Sequence, residues 1–191
     1  MKEKEVKSWF QMGYDKKKLE SGGKGYSDQL LIKDGQEVKI RFRSDKAFCF
    51  NQHYHRGLNR YFTCLGHNCP LCERDVPKSF KAAFPVIDRT DGKMKFLVVG
   101  TRLLRMIDKY IRKFETLKDR DYEFSRTGAR TDTVYGLIAE EKSKTTDKEK
   151  AMPKPDLEKI FKPKSAEEIE EQLEEVKATK EVDDDDETGT F

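Results

Sequence analysis

The residues with the most chemistry in them are concentrated between His53 and Cys72. Three of the four cysteines (Cys64, Cys69, Cys72) and all three histidines (His53, His55, His67) fall in these twenty residues. The pair in Cys69-Pro70-Leu71-Cys72 has the Cys-x2-Cys spacing that turns two thiolates toward one tetrahedral ion, and a third cysteine plus a histidine complete a closed Cys3His set, the structural type of zinc site. Cys64, Cys69 and Cys72 are therefore the expected zinc ligands. The fourth is His53 or His55, which sit two residues apart on one strand face. His67, between the cysteines, is a third candidate ligand behind those two and otherwise a solvent-facing loop residue, and Cys49 reads as a small buried side chain. Cys-Pro-Leu-Cys is also compatible with a thiol-redox pair. That chemistry needs a low-pKa thiolate at a helix start in a βαβ context, whereas strand patterns surround this pair and a third cysteine lies five residues upstream. Four cysteines in 191 residues are too sparse for a disulfide-stapled fold.

Those ligands need elements to position them, and period-two patterning supplies strands. Leu30-Leu31-Ile32 precedes Asp34-Gly35, a hairpin signal. Glu37–Arg43 then alternates Val38, Ile40 and Phe42 against Lys39, Arg41 and Arg43, one apolar and one basic face. Phe48–His55 and Arg60–Cys64 form the hairpin that carries the ligands. Phe80–Ile87 with Lys93–Val99, and Tyr122–Arg126 with Thr133–Ala139, complete the series. Between them, Leu103, Leu104, Ile107, Tyr110, Ile111 and Phe114 recur at helical spacing, which predicts one amphipathic helix over 102–114. About seven short strands with one helix predict a mainly β chain, an OB-fold-like small barrel with an inserted helix and a zinc-pinned hairpin.

Composition sets the domain organisation. Charged residues make up 39% of the chain and its formal net charge is +3. Twelve of the 36 acidic residues fall in 165–191 against two basic ones, so that segment carries −10 and residues 1–164 carry +13. We expect a basic N-terminal arm over 1–28, with a short helix near Val6–Met12 and a lysine run at Lys16-Lys17-Lys18; a core over 29–140; a proline-bearing linker over 141–164; and a disordered acidic tail over 165–191, opened by a Ser165-Ala166-Glu167-Glu168 capping box. No apolar run approaches a membrane span and the N-terminus has no signal-like apolar stretch, so the expected location is the cytoplasm, without membrane contact.

A basic body with an acidic tail points to an anionic polymer as ligand. Single-strand binders combine cations for phosphates with aromatic rings on which bases stack. The candidates here are Lys39, Arg41, Arg43, Tyr54, Arg56, Arg60, Tyr61, Lys93, Lys95, Tyr122, Arg126 and Arg130, with the three tyrosines as stacking rings and Phe42, Phe50, Phe96 and Phe124 as core. The tail can mimic a polyanion in the basic groove, and Asp183, Asp184, Asp185, Asp186 and Phe191 are the expected contacts to partner proteins. Nothing assembles a catalytic constellation: a closed four-ligand zinc has no open position, and no Gly-x-x-x-x-Gly-Lys loop is present. Competing readings are a single-stranded RNA binder or translational repressor, and a zinc-stabilised regulator presenting Arg102, Arg105, Lys109, Arg112 and Lys113 of the helix to duplex DNA.

The order Glu37-Val38-Lys39-Ile40-Arg41-Phe42, a histidine-bearing hairpin, Tyr61-Phe62-Thr63-Cys64 and Cys69-Pro70-Leu71-Cys72 resembles the zinc-containing single-stranded DNA-binding proteins of tailed bacteriophages. Phe84-Pro85-Val86-Ile87-Asp88, a glycine turn, Phe96–Gly100, the helix and Asp121-Tyr122-Glu123-Phe124 continue the likeness over roughly 29–140. The resemblance implies an OB-fold core with one structural zinc on Cys64, Cys69, Cys72 and either His53 or His55. It further implies sequence-tolerant coating of single-stranded DNA, with possible self-association on it, during phage replication, recombination and repair, and a tail that recruits replication and recombination proteins. The spacing from histidine to cysteine is shorter here than in the best-known members.

Overall fold

The computed structural model describes residues 28–129 and 132–174. Residues 1–27 of the expected arm over 1–28, Arg130, and the tail residues Asp183, Asp184, Asp185, Asp186 and Phe191 lie outside the described residues.

The strand patterns become β1 (Glu37–Phe42), β2 (Phe48–His55), β3 (Arg60–Thr63), β4 (Lys78–Asp88), β5 (Lys93–Gly100), β6 (Arg120–Thr127) and β7 (Val134–Lys142). All pair antiparallel in one sheet of order β3-β2-β4-β1-β6-β7, with β5 on β4. The fold is mainly β, as expected.

β4 is the strand on which the sheet turns. β5 runs along Lys81–Asp88 on one edge, while the other edge carries β2 along Lys78–Ala83 and then β1 along Val86–Asp88. Pro85 sits where that neighbour changes. A proline has no N–H for a ladder, so the junction is the place it costs least, and its carbonyl still accepts the Arg43 N–H at 2.9 Å.

The sheet is not closed into the expected barrel, and the segment before β1 also departs from its pattern. Leu30-Leu31-Ile32 does not fold back on β1 as the hairpin pattern suggested. The Leu30 N–H goes to the Phe96 carbonyl of β5 (2.8 Å) and the Gly35 N–H to the Arg126 carbonyl of β6 (2.9 Å). The segment thus spans from one strand to another, burying Leu30 and Ile32, and makes only an isolated bridge, Gln29 to Phe96.

The main core lies under the helix at Thr101–Phe114 (α2). Ile40, Phe42, Phe84, Val86, Leu97, Val99, Tyr122, Phe124 and Leu137 meet Leu103 and Ile107 from that helix. One turn at Pro70–Glu73 (α1) precedes it, and α2 itself spans Thr101–Phe114, within one residue of its sequence pattern. Glu115 stops it in a left-handed conformation, φ 67°, its N–H bonded to the Ile111 carbonyl.

The proline-bearing stretch over 141–164 is more ordered than its composition suggested. It holds α3 (Asp147–Ala151), started by a capping box of Thr146 and Glu149, and α4 (Leu157–Ile160), started by Asp156. Phe161 then packs into the sheet, its ring stacked on Phe50 at 4.2 Å between centroids and edge-on to Phe96 at 5.6 Å. The Ser165–Glu168 capping box forms as expected and opens a helix over 166–174 (α5), so this part of the tail is ordered and not disordered as expected, because Ile169 and Leu173 find a buried seat. Among the described residues no helix is long and apolar enough to cross a membrane.

Candidate functional site

β2 is buried on opposite faces at its two ends. Phe50 faces Phe161 and Phe96, whereas three residues later His53 is buried on the other face, beneath the loop that follows β3. Cys49 shares the His53 face but precedes that cover, so it is exposed and not the small buried side chain expected from sequence.

His53, Cys64, Cys69 and Cys72 converge, with one ligand atom from each lying within 4.8 Å of all the others. The His53 Nε2 is 3.7 Å from the Cys69 sulfur and 3.5 Å from that of Cys72, and the Cys64 and Cys72 sulfurs are 3.6 Å apart. All four cysteines of the chain are free, so no disulfide competes for these sulfurs.

The histidine is oriented from behind. Its Nδ1 lies 2.8 Å from the Val76 carbonyl, which can only accept, so Nδ1 carries the proton and the Nε2 lone pair faces the sulfurs. His55 does not share the task. Its Nδ1 accepts the Leu58 N–H at 3.3 Å and fixes the β2–β3 turn. Of the two candidates, the geometry selects His53, because the odd face of β2 is covered only where the cysteine loop crosses it. His67, the third candidate, is exposed and outside the cluster.

The loop backbone also serves the sulfurs. Burial opposes ionisation of Cys69, but the N–H groups of Cys72, Leu65 and Leu71 outweigh it and hold that thiol below its ordinary value. Cys72 is pushed the other way, to about 11, by its hydrogen bond to the Cys64 sulfur, by burial and by the charge of its neighbours. Three sulfurs this close cannot all be thiolates unless a cation sits among them. The cluster could hold a metal ion. The Leu71 and Cys72 N–H donors are implicit in the Cys69-Pro70-Leu71-Cys72 turn, but nothing in the sequence identified the Leu65 N–H or the Val76 carbonyl.

The other face of the same hairpin carries Tyr54 and Tyr61. They are directly opposed across β2 and β3, with ring centroids 4.9 Å apart and 41% and 59% of their surfaces exposed. Arg56, in the turn between them, is exposed too.

The remaining candidates do not join this pair in one groove. Arg41 is fully buried: its guanidinium bonds the Asp121 carboxylate, the Lys118 and Ser143 carbonyls and the Ser143 and Thr145 hydroxyls. β1 is a central strand, and 143–150 crosses its outer face at Arg41 and Arg43, so that part of the expected basic face is a covered one. Arg43 there bonds the Lys150 carbonyl, and Lys39 pairs with Glu140 at 2.8 Å while staying half exposed.

Tyr122 is likewise buried, edge-on to Phe42 and Tyr110, and burial raises its hydroxyl to about 12. It is a core residue, not a stacking ring. Arg60 turns to the cysteine side, over the Phe62 ring and onto Gln172. Lys95 is held by Asp88 and Asp91, and Arg126 by the Ile32 carbonyl. Lys93 is exposed at the start of β5. Phe42, Phe50, Phe96 and Phe124 are buried, as read from sequence.

No protein-family model, curated protein or solved structure matches this chain.

Proposed function

We propose that the chain is a zinc-containing single-stranded DNA-binding protein, of the kind that coats DNA in phage replication, recombination and repair. The observation that carries the reading is the Tyr54–Tyr61 pair. Two large rings stand side by side, exposed, on the face of a hairpin whose reverse face is pinned by the four-ligand cluster. A cross-strand pair with no core to fill is suited to stacking on bases, at about 1–3 kcal/mol per base. Arg56 and the surplus of 13 positive charges over residues 1–164 supply attraction to phosphate.

Zinc suits the donor set. Three thiolates and one imidazole with no carboxylate or water position make a structural site. Zn–S bonds of about 2.3 Å in a tetrahedron put sulfurs about 3.8 Å apart, close to the spacing of the Cys64 and Cys72 sulfurs. The ion's task is mechanical: it joins β2, the end of β3 and the turn at α1, and so fixes the hairpin that presents the tyrosines. The open, strongly turned sheet reads as a relative of the OB barrel on the strength of the family resemblance. On that reading the tail ending in Asp183-Asp184-Asp185-Asp186 and Phe191 recruits replication proteins.

The test is fluorescence anisotropy of labelled single-stranded DNA, with duplex DNA and single-stranded RNA as competitors, at two salt concentrations. We expect sequence-tolerant binding that prefers single-stranded DNA, weakens with salt, and drops about fivefold or more for Tyr54→Ala or Tyr61→Ala. Binding that both substitutions leave unchanged, or a preference for duplex or RNA, would refute the reading.

A further inference from the structure

The helix α5 stands on the cysteine loop. Ile169 and Leu173, both buried, form one cluster with Phe62, Cys69 and Leu71, ringed by Leu58, Cys64, Leu65, Cys72 and Val76. Every partner in that cluster lies between residues 58 and 76. The polar contacts have the same footprint: Arg74 forks onto the two Glu170 oxygens at 2.8 and 2.5 Å, and Arg60 donates to Gln172 at 2.8 Å. Two of the buried partners, Cys69 and Leu71, are a ligand and the residue between two ligands.

The receptor surface is therefore made by the loop that the ion would organise. Its own secondary structure is the single turn α1, four residues long. Isolated turns of that length do not hold themselves together, so the shape of the loop is set by what ties Cys64, Cys69 and Cys72 to His53. Nothing comparable applies to the main core, which β1, β4, β5, β6 and α2 build without the loop.

We propose that ion binding and docking of α5 are coupled, so that the loaded cluster is the receptor for the chain's own acidic helix and loss of the ion frees 166–174. The proposal rests on the metal reading given above. Residues 166–174 hold five glutamates and no lysine or arginine, so the helix carries no cation of its own, and its seat on the loop draws on Arg74, Arg60 and the apolar cluster. Coupling is reciprocal: removing the helix must loosen the ion by the same factor that removing the ion loosens the helix.

Hydrogen exchange on the full chain, zinc-loaded and then chelated, reads the first direction. The amides of 169–174 should exchange about tenfold faster or more after chelation, while those of β1, β4, β5 and β6 keep their protection. Unchanged protection at 169–174, or loss spread evenly over the sheet, overturns the proposal. The reverse direction is read by zinc transfer to a chromogenic chelator. Ile169→Asp should speed it severalfold, and Glu170→Arg should do so through charge repulsion alone, with Arg74→Glu added to Glu170→Arg restoring slow transfer. Transfer rates that ignore all three overturn the coupling but leave the metal centre standing. A chain that retains no zinc and takes none up on titration overturns the metal reading itself.

Discussion

At the scale of single residues, two look-alike pairs behave differently because of what covers them. His53 and His55 are alike in sequence, yet the first is buried with its Nε2 on two sulfurs and the second holds a turn. His53→Ala should therefore abolish stoichiometric metal retention while His55→Ala keeps it, as measured by metal content after gel filtration. Equal loss in both would contradict the ligand assignment. Among the tyrosines, Tyr122 has a buried hydroxyl with no hydrogen-bond partner. Removing such an atom is neutral or favourable, so Tyr122→Phe should leave the melting temperature level or raise it, by up to about 1 kcal/mol of stability, and leave DNA affinity untouched. A fall in affinity there would return Tyr122 to the binding face.

At the scale of elements, the β2–β3, β4–β5 and β6–β7 hairpins and the helix α2 were legible because each is a local pattern, whereas the hairpin expected around Asp34-Gly35 does not form, its first arm going to β5 and β6. β2 and β3 follow from alternating aromatics around Arg56-Gly57-Leu58-Asn59, and α2 from its apolar stripe. The metal cluster was legible to within one histidine, since cysteine spacing is local and the cover over β2 is not. Arg41 was misread for the same reason. An alternating strand shows which residues share a face, but only the path of 143–150 shows that the face is covered. Phe161 and the buried seat of Ile169 and Leu173 were invisible as partners, because their contacts, Phe50 and Phe96 for the first and residues 58–76 for the others, lie far upstream in the chain.

One inter-element tie can be tested by pH. Asp45, before β2, accepts from the Leu117 N–H at 2.7 Å and the Thr116 hydroxyl at 2.9 Å and pairs with Lys118, so it fastens the start of β2 to the end of α2. Burial works against its ionisation, but the Leu117 N–H, Lys118 and Thr116 prevail and hold the carboxyl below its ordinary 3.8. The unfolded chain then binds this proton more readily than the folded one, so the tie contributes stability above pH 3.8 and loses it as pH falls through the lower folded value. Asp45→Asn should cost about 1 kcal/mol near neutrality, and thermal melts of the two proteins should converge in acid. A gap independent of pH would contradict the assignment.

At the scale of the whole molecule, the chain is an open sheet dressed by its own C-terminal third. Among the described residues, 143–150 cover β1 at Arg41, Phe161 packs on the sheet at Phe50, and α5 seats on the cysteine loop, leaving the Tyr54–Tyr61 face of the β2–β3 hairpin uncovered. That exposed face is the centre of the account. Ultraviolet cross-linking of the full zinc-loaded chain to a thymidine-rich single strand, with the adducts located by mass spectrometry, addresses it most directly. The account predicts adducts on Tyr54 or Tyr61. Adducts confined to α2, with both tyrosines unmodified, would contradict it and move the binding face to the helix carrying Arg102, Arg105 and Lys109.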